Sequence, residues 1–310
     1  QTLHGDNIEW LKGGYVFPLY RPGDEEMLQG LLPAQKKYGL NIDFVGPQTI
    51  REIIPGINSH GLRGGTVSPD DGSISPLLAV NAFYRRALKL GAEFHFNEKI
   101  TEILCPNGKV VAVATDKTRY DTAVVIDAAG PFSPELCKTV NIDIPIVPDS
   151  HEGAITEPVQ PFFECMVVDI RPAAGSKSYY FYQNKQGQVI FCITPDPPIV
   201  GKDKRETSQF LPQVCARMVN LLPRLKNLRV RRTWRGLYPM TPDGSPLIGW
   251  NREIEGLFHV TGMCGQGLML APGLAETAAR TIAGSTNETD GVILQEFSPY
   301  RKFKGQEALK

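Results

Sequence analysis

The chain has 310 residues, enough for about two domains at roughly 150 residues each. Its 33 basic and 33 acidic side chains leave no net charge, which removes the electrostatic case for nucleic acid or an anionic membrane surface as a partner. No apolar run reaches the ~20 residues that span a bilayer, and the first residues carry no signal-peptide pattern. Glycine (30) and proline (25) are abundant and dispersed, which predicts many tight turns. The six cysteines are widely spaced with no CxxC, a pattern that argues against a zinc or iron–sulfur site and fits buried free thiols in a cytoplasmic protein.

In chain order, residues 14–20 read as a strand. Residues 24–37 read as a helix broken near 30–33, where glycine and proline interrupt the apolar stripe. Residues 42–45 form a short strand and 47–54 a short helix ended by Pro55 and Gly56. After a turn at Ser68-Pro69-Asp70-Asp71-Gly72, a helix opens with a Ser75 cap and Pro76, runs to Leu90 and is closed by Gly91. Strands are predicted at 93–96, 100–104 and 110–115, the last two joined by Pro106-Asn107-Gly108.

Residues 123–130 (Ala-Val-Val-Ile-Asp-Ala-Ala-Gly) are the most apolar strand of the chain, and their pattern suits a central parallel strand covered on both faces. A short helix through Cys137 follows. From 146 to 193 the strands alternate with Pro and Gly turns, as in an antiparallel sheet. A helix at 207–222, strands at 228–237 and 257–261, and a helix at 268–283 stopped by Gly284 complete the pattern. Parallel βα elements thus flank an antiparallel insert, which predicts an α/β fold of mixed α+β character with two interleaved domains.

Three segments carry candidate chemistry. In the first, a strand (257–261) meets a helix through Gly262, Gly265 and Gly267, with the spacing GxxGxG. Such a turn lets a ligand approach the backbone and faces it with the N–H groups of a helix start. A phosphate or the anionic edge of a reduced flavin suits it; taken alone, a plain structural turn fits equally well. In the second, Asp127-Ala128-Ala129-Gly130 puts small residues at the carboxyl end of a strand, where an open α/β sheet binds ligands or where strand and helix simply pack closely. The third, from Trp234 to Gly249, is rich in proline and glycine and reads as a rigid loop, with or without a ligand.

Together, in this order along essentially the whole chain, these segments resemble the FAD-dependent amine and amino-acid oxidoreductases related to D-amino-acid oxidase. That group includes glycine oxidase, monomeric sarcosine oxidase and the β subunits of heterotetrameric sarcosine oxidase and dye-linked proline dehydrogenase. The resemblance implies a Rossmann-like FAD-binding domain (67–140 and 238–300) interleaved with an antiparallel-sheet substrate domain (8–66 and 141–237). The family's GxGxxG unit is absent from the sequence, and the chain opens on Gln1. A truncated or processed form lacking the first βαβ unit is therefore expected.

By resemblance, FAD is the cofactor. Ile100 would offer its backbone to the adenine, and Ala129 and Gly130 would lie along the pyrophosphate or ribityl chain. Tyr238, Pro239 and Met240, with Gly265, Gln266, Gly267, Leu268 and Met269, would lie against the flavin ring. Tyr238 and Met269 are the candidate catalytic contacts, and Tyr180, Tyr182 and Arg235 are weaker ones. The implied reaction is oxidation of the C–N bond of a small amine or amino acid (sarcosine, glycine or proline-like) by hydride transfer to flavin. The implied partners are an α subunit or an electron-acceptor protein.

The departures from the family are informative. Gly236 stands where monomeric sarcosine oxidase attaches its flavin through cysteine, which excludes that linkage. Met269 replaces that enzyme's carboxylate-binding lysine, and 189–192 holds no oxygen-activating lysine, which favours a dehydrogenase. Tyr238 and Gly265 replace arginines of glycine oxidase. A dehydrogenase of a 2-hydroxy acid or glycerol phosphate is the alternative, though Arg171, Lys177 and Lys185 are scattered; a non-catalytic subunit is another. His259, inside an apolar strand, reads as structural, His151 is open, and His4, His60 and His95 read as solvated.

Overall fold

The computed structural model describes residues 5–305; His4 lies outside them. β1 (Tyr15–Leu19), α1 (Pro22–Lys37), β2 (Asp43–Val45), α2 (Pro47–Ile53) and β3 (Gly64–Ser68) come first. α3 (Pro76–Lys89), β4 (Ile100–Leu104), β5 (Ala112–Thr115), β6 (Arg119–Asp121), β7 (Val125–Asp127) and α4 (Ser133–Lys138) follow. Then come β8 (Val147–Thr156), β9 (Met166–Asp169), β10 (Ser176–Gln183), β11 (Val189–Pro195), α5 (Phe210–Leu221) and β12 (Val230–Met240). β13 (Leu247–Trp250), β14 (Leu257–Thr261), α6 (Gly267–Ile282) and α7 (Glu288–Glu296) end the order.

The large sheet has eight strands in the order β12-β8-β11-β10-β9-β1-β3-β2. All its neighbours are antiparallel except β1 and β9. Period-two alternation sends successive side chains to opposite faces. One face, with Val16, Val167, Tyr179, Phe181, Phe191 and Ala154, packs with Val214, Met218 and Leu221 of α5 into the main core. Register puts Tyr180, Cys192, Gly153 and Trp234 in a row on the other face, with His151 opposite Gly236 and Asp149 opposite Tyr238.

Two smaller sheets stand apart. In β13-β14-β7, β14 and β7 run parallel, with His259 opposite Asp127. Ile248 and Phe258 of this sheet pack on Leu274 and Ala278 of α6, while Val125, Leu247 and Leu257 turn to a second core with Val110, Val113 and Cys137. β4-β5-β6 is antiparallel. The Ser75 hydroxyl accepts the Leu78 amide at 3.4 Å and so caps α3, and Gly284 ends α6 at φ +69°, both as the sequence predicts.

Several elements differ from expectation. α1 continues through Gly30 and Pro33; it buries only Asp24 and Leu28, so the hydrogen bond that proline forfeits falls on an exposed helix. Residues 93–96 form no strand: Phe94 and Phe96 instead pack on Tyr84 of α3. β7 is short and pairs only with β14 among the described residues, at the sheet edge, where Ile126 is 50% exposed. The helix predicted from 207 starts at Phe210, because the Thr207 amide and hydroxyl are spent on the buried Glu152 carboxylate at 2.6 and 2.7 Å. The 234–249 segment is largely strand, β12 and β13, and Arg301 clamps its turn through Asp243 and the Ser245 and Pro246 carbonyls.

Candidate functional site

The glycine-rich turn joins β14 to α6, as predicted. Gly262 and Gly265 have φ of +69° and +86°, a region L side chains rarely adopt. A Cβ on Gly262 would stand 2.7 Å from Thr241 Cγ2, and one on Gly265 would stand 2.4 Å from the Tyr238 ring. These glycines therefore let the turn close against the end of β12. Between them Cys264, also left-handed at φ +49°, is fully buried. Its thiol donates to the Gly262 carbonyl (3.1 Å) and accepts from the Thr241 amide (3.3 Å), and its own amide donates to the Pro239 carbonyl (3.3 Å). The thiol clips the turn to Pro239-Met240-Thr241.

The structure thus brings Tyr238, Pro239 and Met240 beside Gly265, Gln266 and Gly267. α6 starts after Gln266 without a side-chain cap, so its positive end is open toward a ligand. Leu268 and Met269 expose apolar side chains there, Met269 by 72%. Ala129 and Gly130 come to the same end of the fold, at the carboxyl ends of the parallel pair β7 and β14. The Thr261 hydroxyl reaches the Gly130 carbonyl at 3.5 Å and the Ser133 hydroxyl at 2.8 Å. Gly130 sits at φ +56° with nothing within 4 Å of where a Cβ would be. Ile100 is apart from this cluster, on exposed β4.

Sequence reasoning missed the clasp beneath Gly130. Asp127, fully buried, accepts from the Ala129 amide (3.0 Å), the Ser133 hydroxyl (2.8 Å) and His259 Nδ1 (3.1 Å). Asn251 Oδ1 already accepts the Glu253 and Ile254 amides. Its Nδ2 therefore donates to His259 Nε2, which leaves the imidazole proton on Nδ1, facing Asp127. Burial pushes the Asp127 carboxyl up, but hydrogen bonds from His259, Ala129 and Ser133 outweigh it and hold it below its ordinary value. The donor atoms of Asp127, Cys137 and His259 lie within 4.8 Å of one another, a metal-like spacing. Burial keeps the Cys137 thiol protonated, pushed up to about 12, and the carboxylate is already satisfied. The trio works as a hydrogen-bonded clasp between β7, α4 and β14.

The face of the large sheet opposite the main core carries the other polar group. The Tyr238 ring stacks on His151 at 3.9 Å and 14°. His151 Nε2 and Asp149 Oδ2 are 3.1 Å apart, while Asp149 Oδ1 has no hydrogen-bond partner among the described residues. Burial first, then Cys192, pushes the Tyr238 phenol up; Cys192 first, then burial, pushes up that of Tyr180. Both phenols are therefore neutral donors at neutral pH. Gly236 has nothing within 4 Å of where a Cβ would be, and a cavity of about 280 Å³ opens farther along, between Trp234, Tyr182 and Ile190. Arg235 falls on the opposite face, in register with Glu152. His60 and His95 are exposed and His259 is buried, as expected. Asp149 was missed because only its spacing of two from His151 on a strand could have signalled it.

Residues 1–281 match the FAD dependent oxidoreductase (DAO) family, and the chain belongs to it. It is 26% identical over 287 residues to a D-amino acid dehydrogenase of Neisseria meningitidis serogroup C, covering 92% of this chain and 67% of that protein. It is 23% identical to a formaldehyde-forming 4-methylaminobutanoate oxidase of Paenarthrobacter nicotinovorans, covering 97% of this chain and 38% of that protein. The L-proline dehydrogenase structure from P. horikoshii superposes with a TM-score of 0.87 at 26% identity, covering 95% of this chain and 77% of that one. The chain thus spans about two thirds or less of these two curated relatives' length. No helix among the described residues is long and apolar enough to cross a membrane.

The family's cofactor is FAD, and the residues present suit its flavin end. The uncapped start of α6 favours negative charge, and Gly130 leaves its backbone open to a ligand.

Proposed function

We propose that this chain oxidises the C–N bond of a small amine or amino acid, of the sarcosine, glycine or proline kind, with FAD. The observation that carries the reading is the closure of the glycine-rich turn on Tyr238, at 2.4 Å from a Gly265 Cβ, under an aromatic sheet face. FAD, when bound, supplies the two-electron acceptor for a hydride from the carbon beside nitrogen. Gly265, Gln266, Gly267, Leu268 and Met269, with Tyr238, Pro239 and Met240, would hold its ring; Ala129 and Gly130 its linker; and Ile100 its adenine. Tyr238, braced by His151, orients the substrate, and Met269 flanks it.

On this reading 67–140 with 238–300 forms the cofactor side, and 8–66 with 141–237 the substrate side. Sheet membership supports the division, since β8 to β11 belong wholly to the large sheet and β13, β14 and β7 to a separate one. The absence of lysine from β11, where Cys192 faces Tyr180, supports an acceptor other than dioxygen, such as an α subunit or an electron-acceptor protein. Six free cysteines support a reducing, cytoplasmic setting.

The test is a visible absorbance scan of the chain reconstituted with FAD. Flavin bands that bleach anaerobically with sarcosine, glycine or proline are expected. Failure to take up FAD overturns the reading and leaves a non-catalytic subunit; bleaching only by a 2-hydroxy acid or glycerol phosphate transfers it to that alternative.

A further inference from the structure

We propose that Asp149 is the docking point for a substrate ammonium group, so that the chain takes its substrate as a small alkylammonium compound held by a carboxylate beside the space at Gly236. The inference rests on seating the substrate at the Tyr238 face, and names the charge recognised there.

Asp149 is 7% exposed. One carboxylate oxygen faces His151 Nε2 at 3.1 Å; the other, Oδ1, meets no donor among the described residues. Buried carboxylate oxygens are nearly always satisfied, because an unmatched one loses its hydration without return. The one other buried side-chain atom in that state among the described residues, Arg235 Nε, faces the opposite side of the sheet. Nothing on that side can answer Asp149.

The surroundings of Asp149 indicate what completes it. Tyr238, directly opposite on β12, presents an aromatic ring. Gly236, two residues along and opposite His151, leaves open space. Trp234 follows on the same face, above Gly153. An ammonium N–H satisfies the orphan oxygen with a charge-assisted hydrogen bond. His151, Tyr180, Cys192, Trp234 and Tyr238, which share this face with Asp149, include no lysine or arginine. The guanidinium that register brings to the same face, Arg232, stands opposite Ile155, far along β8. The group recognised by Asp149 itself is therefore the amine.

The probe is dimethylammonium chloride, with isopropanol as its neutral counterpart of similar shape, titrated calorimetrically into the full chain with FAD present. Dimethylammonium binding to the wild type is expected to exceed binding to Asp149→Asn by about tenfold or more, while isopropanol binds both weakly and alike. Asparagine keeps an acceptor for His151, and near-ultraviolet circular dichroism checks that the variant is folded. Equal binding of dimethylammonium to both proteins overturns the proposal. So does a wild type indifferent between dimethylammonium and isopropanol, whatever the variant does. The readout needs no turnover, so failure of flavin bleaching and failure of ammonium recognition remain separate results.

Discussion

Two histidine–aspartate pairs lie buried in this molecule, His259 with Asp127 and His151 with Asp149, each at 3.1 Å. They differ in what surrounds the carboxylate. Asp127 takes four donors, from Ala129, Ser133, Cys137 and His259, and its histidine is itself held by Asn251. Asp149 has its histidine and one oxygen left over. Distance and burial are alike, so neither separates a structural pair from a ligand-facing one. Hydrogen-bond satisfaction does: a closed network rigidifies the fold, and an unclosed one spends stability where a ligand is to be met.

The largest expected effect is therefore at the closed pair. Asp127→Ala strands the Ala129 amide, the Ser133 hydroxyl and the His259 proton in the interior, and is expected to cost about 3–5 kcal/mol in urea unfolding. A loss under about 1 kcal/mol would show that the clasp is incidental. The same residue governs acid stability. Its folded carboxyl is held below its ordinary value, so its contribution is present above the unfolded pKa of about 3.9 and is lost as pH falls through the folded value. Unfolding midpoints of the wild type should fall below about pH 4, and those of Asp127→Asn should fall less steeply.

The next effect belongs to the contact that props the open pair. In Gly265→Ala the new Cβ would stand 2.4 Å from the Tyr238 ring at a φ of +86°, and both strain and displacement of the ring follow. A loss of about 2–3 kcal/mol is expected, with the Tyr238–His151 stack disturbed and FAD uptake weakened. Wild-type stability and FAD uptake in this variant would separate the turn from the Tyr238 wall.

Much of this was legible in the sequence. The strand–turn–helix at 257–283, the Ser75 cap and the residues on both sides of the turn follow from glycine spacing and apolar runs. What was not legible is pairing across the chain. Gly265 and Tyr238 were each marked, but only the fold shows one leaving room for the other. Asp127 read as one polar residue in an apolar strand, since His259 and Ser133 reach it from other elements. β3 escaped notice because Gly64 and Gly65 disguise a strand. They are small because Val45 and Phe17 carbonyl oxygens would sit 2.4 and 2.6 Å from their Cβ atoms. Cys264 read as one of six buried free thiols, because what it clips together is twenty-three residues apart in sequence.

The smallest expected effect is at the open pair, and it decides the comparison. Asp149→Asn keeps the acceptor that faces His151 and replaces the unmatched charged oxygen with a neutral amide nitrogen. No donor among the described residues loses an acceptor, and the penalty of a buried unpaired charge falls. The unfolding free energy should therefore stay within about 0.5 kcal/mol of the wild type, or rise. A loss approaching that of Asp127→Ala would mean that Asp149 is a structural member of a network as closed as the other. A neutral or stabilising change means that the wild type keeps a charge the fold does not need, which is the mark of a group retained for what it binds.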